Sequence, residues 1–286
     1  MRHYLLGILA AALSACGTDP SSFDGPLPSL KQQFKCLPKS TAMISAHRGT
    51  ARGSTYAENG IGGLSALIKR GYLMSEIDVA RLKDGTYILF HDGVWEDKST
   101  GRGAVAASTW EQAEKYLLKD PQGKLTSDTP IKLSNYLAEA KDKIYLEIDF
   151  KSSARYQDVI KMIRAHDMSE HVILIAYNTG QARKLMGLAP DMWVSVSTNK
   201  ASDIRKFDTE RAAAWVGKKI SNGRLINDLE NLGAPILGSM GSEWSADKAA
   251  RADILVTDYA FNHRPITGLT SKTKKQYESC LAETSP

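Results

Sequence analysis

The sequence contains few cysteines, no tandem repeat and no strong excess of charge of one sign. With only three cysteines in 286 residues and no zinc-finger spacing, structural zinc modules are excluded. The formal net charge of +5 is mild and spread along the chain, and no dense lysine and arginine run with interleaved aromatics occurs. Nucleic-acid binding is therefore not expected, although this charge favours anionic substrates or membrane surfaces. The composition, 42% hydrophobic and 24% charged, is that of an ordered globular protein, and we expect a monomer.

Long apolar runs are missing after the first 13 residues. The run at positions 4–13 is far shorter than the ~20 residues that span a bilayer, so residues 1–15 are predicted to be a signal peptide. The run ends in Leu-Ser-Ala-Cys16, which resembles the bacterial lipobox, whose cysteine is lipidated. Ordinary cleavage beside a chance cysteine is the alternative.

Lipidation of Cys16 would anchor the protein in the bacterial cell envelope, facing the periplasm. Gly17 stands where an Asp is often linked to inner-membrane retention, so we expect the outer membrane. Residues 16–40 contain four prolines and little periodicity, which predicts a lipidated N-terminus and tether. The folded domain is then expected to cover residues 41–286.

The two remaining cysteines, Cys36 and Cys280, lie near opposite ends of the mature chain. In an exported protein such a pair can form a disulfide. Two unpaired thiols are the alternative, because a bridge needs Cα atoms within about 7 Å of each other.

From residue 43 onward, strand-like and helix-like segments alternate. Strands are predicted at residues 43–46, 72–80, 86–90, 143–151, 172–177, 192–197, 213–217, 235–239 and 253–257. Helices are predicted at residues 61–68, 133–140, 156–165, 180–188 and 224–232, and a capping box at Thr109 and Gln112 opens another. About eight such units predict a single (β/α)8 TIM-type barrel, irregular around the second and third strands. An open doubly wound sheet is the alternative, but no glycine-rich dinucleotide fingerprint follows the first strand.

Chemically useful residues stand at the ends of the predicted strands. His47 and His91 each follow an apolar run, and Glu76 and Asp78 lie on one side of the strand between them. In a barrel, the carboxyl ends of the strands form the active site. Two histidines and two carboxylates there indicate a hydrolytic site with a divalent cation.

A second charged face occurs on the strand predicted at residues 143–151. Glu147, Asp149 and Lys151 share one side of it, and buried carboxylates must be paired or bind metal. Carboxylates without thiolates suit Mg²⁺ or Ca²⁺. Taken singly, these groups have other interpretations, namely a solvated strand face, an edge-strand charge ladder or a loop-end pair.

Short motifs recur in a fixed order along the chain. They are His47-Arg48-Gly49, Ala57-Glu58-Asn59, Glu76-Ile77-Asp78-Val79, Lys83-Asp84-Gly85, His91-Asp92, Thr100-Gly101-Arg102-Gly103, Thr109-Trp110-Glu111, Asp149-Phe150-Lys151 and Val256-Thr257-Asp258-Tyr259. This set resembles the glycerophosphodiester phosphodiesterase family, barrel phosphodiesterases related to phosphatidylinositol-specific phospholipase C. The chain departs from the family at Ala57 and Gly60, which replace Pro and Thr, and at Asp149, which replaces the commoner Glu.

The resemblance implies metal-dependent hydrolysis of a glycerophosphodiester to sn-glycerol 3-phosphate and an alcohol. His47 and His91 would be the acid/base pair, and Arg48 and Lys151 would bind the phosphate. The metal ligands would be Glu76, Asp78 and Asp149, with Glu147 as the alternate. In the family the attacking hydroxyl comes from the substrate glycerol, giving a cyclic intermediate that water opens.

Two other functions stay open at this point. An enzyme acting on intact lipids, like phospholipase C or sphingomyelinase D, would need an apolar rim beside its pocket. The segment 93–128 offers only Val94, Trp95 and Val105 for that rim, which favours soluble diesters. A non-catalytic binding protein on the same barrel would have lost a histidine or a ligand, and none is lost.

Overall fold

The structure, a computed structural model, describes residues 27–242 and 251–284. The predicted signal peptide and the lipidation site at Cys16 lie outside the described residues. No helix within the described part of the chain is long and apolar enough to cross a membrane.

Eight parallel strands close into a barrel, as the alternating pattern predicts. In chain order they are β1 (Ala42–Ala46), β2 (Met74–Arg81), β4 (Tyr145–Phe150), β5 (Val172–Ala176), β6 (Trp193–Ser197), β7 (Ala212–Gly217), β8 (Ile236–Met240) and β9 (Ile254–Thr257). Each strand pairs with the next in this order, and β9 pairs back onto β1. Two short antiparallel strands, β3 (Tyr87–Leu89) and β10 (Ile266–Thr267), extend β2 and β1. The sheet is therefore closed, and the doubly wound alternative is wrong.

Helices surround the barrel and bury their apolar faces against it. They are Leu30–Cys36, Ile61–Lys69, Trp110–Ala113, Leu133–Ala140, Tyr156–Ala165, Thr179–Leu188, Ala201–Ile204, Gly223–Glu230 and Ser271–Thr284. The main core lies between strands and helices, where residues such as Ile44, Leu137 and Ile163 are fully buried. The barrel strands are buried over most of their length, as expected for a parallel sheet covered on its outer face.

The predicted irregularity lies at β2 and β3. These strands form an antiparallel hairpin around the turn Asp84-Gly85, and the Phe90 amide donates to the Asp78 carbonyl at 3.0 Å. The hairpin therefore returns His91 to the strand that carries Asp78. The next 40 residues form an excursion with its own small core around Trp95, before the chain rejoins the barrel at helix Leu133–Ala140.

The first described residues correct the predicted domain boundary. The tether was expected to extend to residue 40, but Leu30–Cys36 is a helix that begins with a capping box at Ser29 and Gln32. Its buried face packs beneath the barrel beside the C-terminal helix Ser271–Thr284. The bridge between Cys36 and Cys280, one of the two states that the sequence left open, is present, with Cα atoms 5.5 Å apart. Residues 30–36 thus belong to the folded domain.

Candidate active site

The register between β2 and β4 brings four carboxylates together. Glu76 pairs with Glu147, and Asp78 pairs with Asp149, on adjacent parallel strands. All four side chains are buried. The two charged faces identified in the sequence are therefore neighbours inside the barrel, and neither is a solvated face or an edge ladder.

Three of these carboxylates form a cluster that fits a divalent cation. Oxygen atoms of Glu76, Asp78 and Asp149 lie within 4.8 Å of one another. Burial, followed by the neighbouring charge of Asp78, raises the pKa of Glu76 well above its usual value. The Oδ1 atom of Asp149 is buried without a hydrogen-bond partner. A hard cation would satisfy that atom and offset the clustered negative charge, so the donor set fits Mg²⁺ or Ca²⁺.

Glu147, which was predicted as the alternate ligand, is not part of this group of three. Its Oε1 atom is buried without a hydrogen-bond partner, although the side chain lines the same cavity. Burial raises the pKa of Glu147 to about 7. A carboxyl group with this pKa can be neutral or charged near neutral pH, and a cation beside it favours the charged form.

Lys151 is held by the carboxylate cluster. Its ammonium lies 2.7 Å from Asp78 Oδ1 and 2.7 Å from Asp149 Oδ2. Burial lowers the pKa of Lys151, but the two carboxylates outweigh this effect and the pKa is raised. The predicted contact of Lys151 with a substrate phosphate stays a prediction, because here its partners are acidic side chains.

His47 lies at the carboxyl end of β1, between two acidic groups. Its Nδ1 is 2.6 Å from Asp258 Oδ1, and its Nε2 is 3.9 Å from Glu76 Oε2. The hydrogen bond from His47 lowers the pKa of Asp258. Asp258 therefore fixes the orientation of the imidazole and leaves Nε2 directed into the cavity.

A left-handed turn after β1 positions Arg48. Arg48 and Gly49 have φ values of 55° and 68°, and a non-glycine residue in this region costs about 1–3 kcal/mol. The turn aims the Arg48 amide at Glu76 Oε2, 2.7 Å away. Strain of this kind is tolerated where the surroundings fix the backbone, which is common at active sites.

The guanidinium of Arg48 joins His91 to the rest of the site. Its NH2 atom lies 2.9 Å from His91 Nε2, and its NH1 atom donates to Glu58 Oε2 at 3.1 Å. Because arginine only donates hydrogen bonds, His91 Nε2 must accept, and Nδ1 then donates to Asp92 Oδ1 at 2.6 Å. This arrangement places the lone pair of the His91 ring at Nε2. Lys98 from the excursion also donates to Glu58, at 3.1 Å.

Asn59 holds Asp78 in place through two hydrogen bonds. Its Nδ2 donates to Asp78 Oδ2 at 2.8 Å, and its Oδ1 accepts from the Asp78 amide at 2.9 Å. A Cβ atom at the neighbouring Gly60 would lie 2.7 Å from Asp128 Oδ2, so a larger residue there would displace this carboxylate. Asp128 in turn accepts from the Gly62 amide at the start of helix Ile61–Lys69. Gly60, where the family has Thr, therefore leaves room for the buried carboxylate of Asp128, which comes from the excursion.

Both histidines and all four carboxylates line one cavity of about 150 Å³ at the carboxyl ends of the strands. Sequence reasoning missed several other residues of its wall, which are Ile175, Tyr177, Ser195, Ser197, Trp215 and Val256. Tyr177 is 60% exposed, yet its hydroxyl donates to Asp149 Oδ2 at 2.8 Å. It directly follows β5, and a residue at that position of a barrel lies at the mouth. That rule would have found it.

The chain belongs to the Glycerophosphoryl diester phosphodiesterase family, whose sequence model matches residues 47–228, well over half of the chain. One curated relative is the glycerophosphodiester phosphodiesterase of Caldanaerobacter subterraneus subsp. tengcongensis. It is 26% identical over 161 residues, and the match spans 54% of this chain and 65% of the relative. The chain thus matches just under two thirds of that relative's length.

Solved structures show the same fold. A glycerophosphoryl diester phosphodiesterase from Parabacteroides distasonis has a TM-score of 0.73 at 20% identity, covering 91% of this chain and 95% of its own. An Oleispira antarctica phosphodiesterase, solved with the product sn-glycerol-3-phosphate, has a TM-score of 0.62 at 15% identity, covering 81% of this chain and 99% of its own. At these identities the likeness concerns the fold.

Proposed function

We propose that the protein hydrolyses glycerophosphodiesters to sn-glycerol 3-phosphate and an alcohol, with a bound divalent cation. The convergence of His47 and His91 with a buried carboxylate cluster around one cavity carries this proposal. Family membership supports it. The Oleispira relative, whose bound product is sn-glycerol-3-phosphate, supports the product class.

Glu76, Asp78 and Asp149 would hold the cation, whose chemistry is to neutralise and polarise the phosphate oxygens. Arg48 lies close enough to this cluster to bind the same phosphate through its planar guanidinium. Its present partner, His91, would be released as the guanidinium turns toward the substrate. The phosphate charge that develops in the transition state would then be stabilised from two sides.

The hydrogen bonds assign different roles to the two histidines. His91 Nε2 carries an electron pair, so it would take the proton from the attacking glycerol hydroxyl. His47 is oriented by Asp258 through Nδ1 and directs Nε2 into the cavity, so it would give a proton to the leaving alkoxide. The oxygen–phosphorus bond to the alcohol breaks as the cyclic phosphate forms. Water then opens the cyclic phosphate with the two roles exchanged.

Soluble diesters are favoured over intact lipids as substrates. Of the three apolar residues that the sequence offered for a lipid-binding rim, Trp95 and Val105 are buried in the core of the excursion, and only Val94 is exposed. Leu117 and Leu125 add two further exposed apolar side chains, which sequence reasoning did not single out. Three partly exposed side chains offer little apolar area for a membrane-binding patch.

The direct test is release of glycerol 3-phosphate from glycerophosphocholine, with and without a chelator. His47→Ala and His91→Ala should each lower kcat by about 10²–10⁴-fold, the usual range for removing an acid or base. His166→Ala, outside the site at the end of helix Tyr156–Ala165, is the matched control. Absence of release with any head group or metal would refute the proposal, and full activity of His47→Ala would refute the acid/base assignment.

Lipidation at Cys16 and a position in the outer membrane facing the periplasm are also proposed. They rest on the lipobox-like motif and on Gly17. Mass spectrometry of the mature protein isolated from the envelope would detect the lipid on Cys16.

A further inference from the structure

The two ends of the described chain meet beneath the barrel and form one surface there. We call residues 27–41 and 268–284 the basic cap. The helices Leu30–Cys36 and Ser271–Thr284 pack side by side within it and are joined by the Cys36–Cys280 disulfide. The Tyr277 hydroxyl also donates to Gln33 Oε1 at 2.7 Å. The two helices therefore present their outer sides as a single rigid surface.

The basic cap lies at the end of the barrel opposite the catalytic cavity. Its apolar side packs on residues at the amino ends of the strands, such as Met43, Tyr145 and Trp193. The Tyr145 hydroxyl donates to the Pro28 carbonyl at 2.6 Å. Because the strands are parallel, the groups at their carboxyl ends, which include His47, lie on the far side of the barrel.

Most of the net charge of the chain is concentrated on this cap. The cap contains six lysines and two glutamates, a net charge of +4, whereas the whole chain has +5. Among these lysines, Lys31 and Lys274 contact Glu210 and Glu278. The others are exposed and have no ion pair with a described residue, and they are Lys35, Lys39, Lys272 and Lys275.

Two of the exposed lysines face away from the barrel. In the C-terminal helix, Tyr277 and Leu281 are the buried residues. At 3.6 residues per turn, Lys272 and Lys275 fall on the opposite side of this helix. Lys272 and Lys275 therefore direct positive charge outward, while Lys35 and Lys39 line a groove at the edge of the cap that also contains Glu210 and Glu230.

The proposed lipid anchor would be tied close to the basic cap. Cys16 is 11 residues from Leu27, so the intervening chain reaches about 38 Å at most. A compact domain of this size is roughly 45 Å across. Turning the catalytic cavity toward the membrane would require an almost fully extended chain between Cys16 and residue 27. The anchor thus favours orientations in which the basic cap lies next to the bilayer.

We infer that the basic cap is a docking surface for an anionic membrane, which leaves the catalytic cavity facing away from the lipids that hold the anchor. Lysines near such a surface contribute about 1 kcal/mol each, or about fivefold in affinity, within a Debye length of ~8 Å. The inference rests on the proposed function and lipidation. The inference limits the expected substrates to water-soluble diesters, because lipids of the anchoring leaflet would lie at the end of the barrel opposite the catalytic cavity.

Hydrogen–deuterium exchange of the mature lipidated protein in vesicles tests this surface without measuring catalysis. In vesicles of equal parts phosphatidylglycerol and phosphatidylcholine, we expect slowed exchange in residues 27–41 and 268–284 but unchanged exchange at the cavity rim, residues 91–105. In pure phosphatidylcholine the slowing should disappear. The triple variant Lys35→Gln, Lys39→Gln, Lys275→Gln should shift the docking equilibrium by roughly 100-fold and remove the protection.

The matched control neutralises three exposed lysines away from the amino ends of the strands, Lys83, Lys124 and Lys161, and should keep the protection. Protection at the cavity rim, equal protection on neutral vesicles, or its loss in the control variant would overturn the inference. So would the same protection without vesicles at high protein concentration, which would indicate a second copy of the chain. Cap protection without release of glycerol 3-phosphate would refute only the proposed function, and release without protection would refute only the docking surface.

Discussion

Asp258 Oδ1 lies 2.6 Å from His47 Nδ1, although the two residues are 211 positions apart in the chain. Asp258 follows β9 and His47 follows β1, and these strands are neighbours because the barrel closes. The contact exists only in the closed sheet. The contact connects the end of the last barrel strand with His47, the residue at the end of the first strand that is proposed to transfer a proton.

Replacement of Asp258 by Asn should lower kcat by about 10²-fold and change KM much less. The amide keeps a hydrogen bond to His47 Nδ1 but removes the carboxylate charge beside the imidazole that is proposed to transfer the proton. Steady-state kinetics with glycerophosphocholine measure the effect. Asp228→Asn, on an outer helix, provides a matched control. A change confined to KM would show that Asp258 serves substrate binding instead.

Replacement of Tyr177 by Phe should alter cation affinity without unfolding the protein. The Tyr177 hydroxyl donates to Asp149 Oδ2 at 2.8 Å and so orients a proposed ligand. Losing such a partner typically costs about 10–100-fold in metal affinity. Calorimetric titration of the metal-free protein with Mg²⁺ and Ca²⁺ measures the affinity for each cation independently of turnover. Affinity equal to that of the wild type would show that Asp149 is positioned by Lys151 alone.

Removal of the disulfide should destabilise the fold but spare the chemistry. The bridge closes a loop of 244 residues, and loss of a native disulfide typically costs about 2–5 kcal/mol. Denaturant titration of the double variant Cys36→Ser, Cys280→Ser measures the free energy of unfolding. We expect kcat to stay unchanged, because the bridge is at the opposite end of the barrel. Reduced wild-type protein is the control, and a large fall in kcat would contradict this separation.

The stability of the fold should fall as the pH rises through about 6, in part because of Asp253. Burial raises the pKa of Asp253 from 3.8 to about 6. Since the folded-state pKa is the higher one, this stabilising contribution is complete below pH 3.8 and is lost as the pH passes 6. The loss is at most about 3 kcal/mol, from roughly two pKa units.

The comparison that isolates this effect is between the wild type and Asp253→Asn. The asparagine can still accept the hydrogen bond that the Ile236 amide now donates to Asp253 Oδ2. Thermal melting between about pH 4 and 8 should show a difference in melting temperature between the two proteins, and this difference should change across the pH range. A constant difference would mean that Asp253 ionises at the same pH in the folded and unfolded states.

The sequence predicted the barrel well because its local signals agree with the tertiary structure. Helices Leu133–Ala140 and Tyr156–Ala165 have the predicted bounds, since their apolar spacing alone decides which side is buried. The two-residue period of β2 also placed Glu76 and Asp78 on one inner side. By contrast, helix Leu30–Cys36 was missed, because it is short and its proline-rich surroundings resemble a tether.

Other features could not be predicted, since no local signal carries them. The roles of Asn59 and Tyr177 depend on hydrogen bonds to side chains from other strands. The net charge, which looks evenly spread along the sequence, collects on one surface because the two ends of the described chain pack together.

The sequence by itself determined the order of strands and helices and the residue types that can hold a cation and move a proton. Short-range periodicity and motif spacing suffice for that. Only the tertiary structure decided which of these groups meet, at which end of the barrel they lie and where the charge accumulates. The physical reason is that closing a parallel sheet brings the ends of its strands together. Residues that are far apart in the chain become neighbours there, and their separation in the sequence does not indicate this.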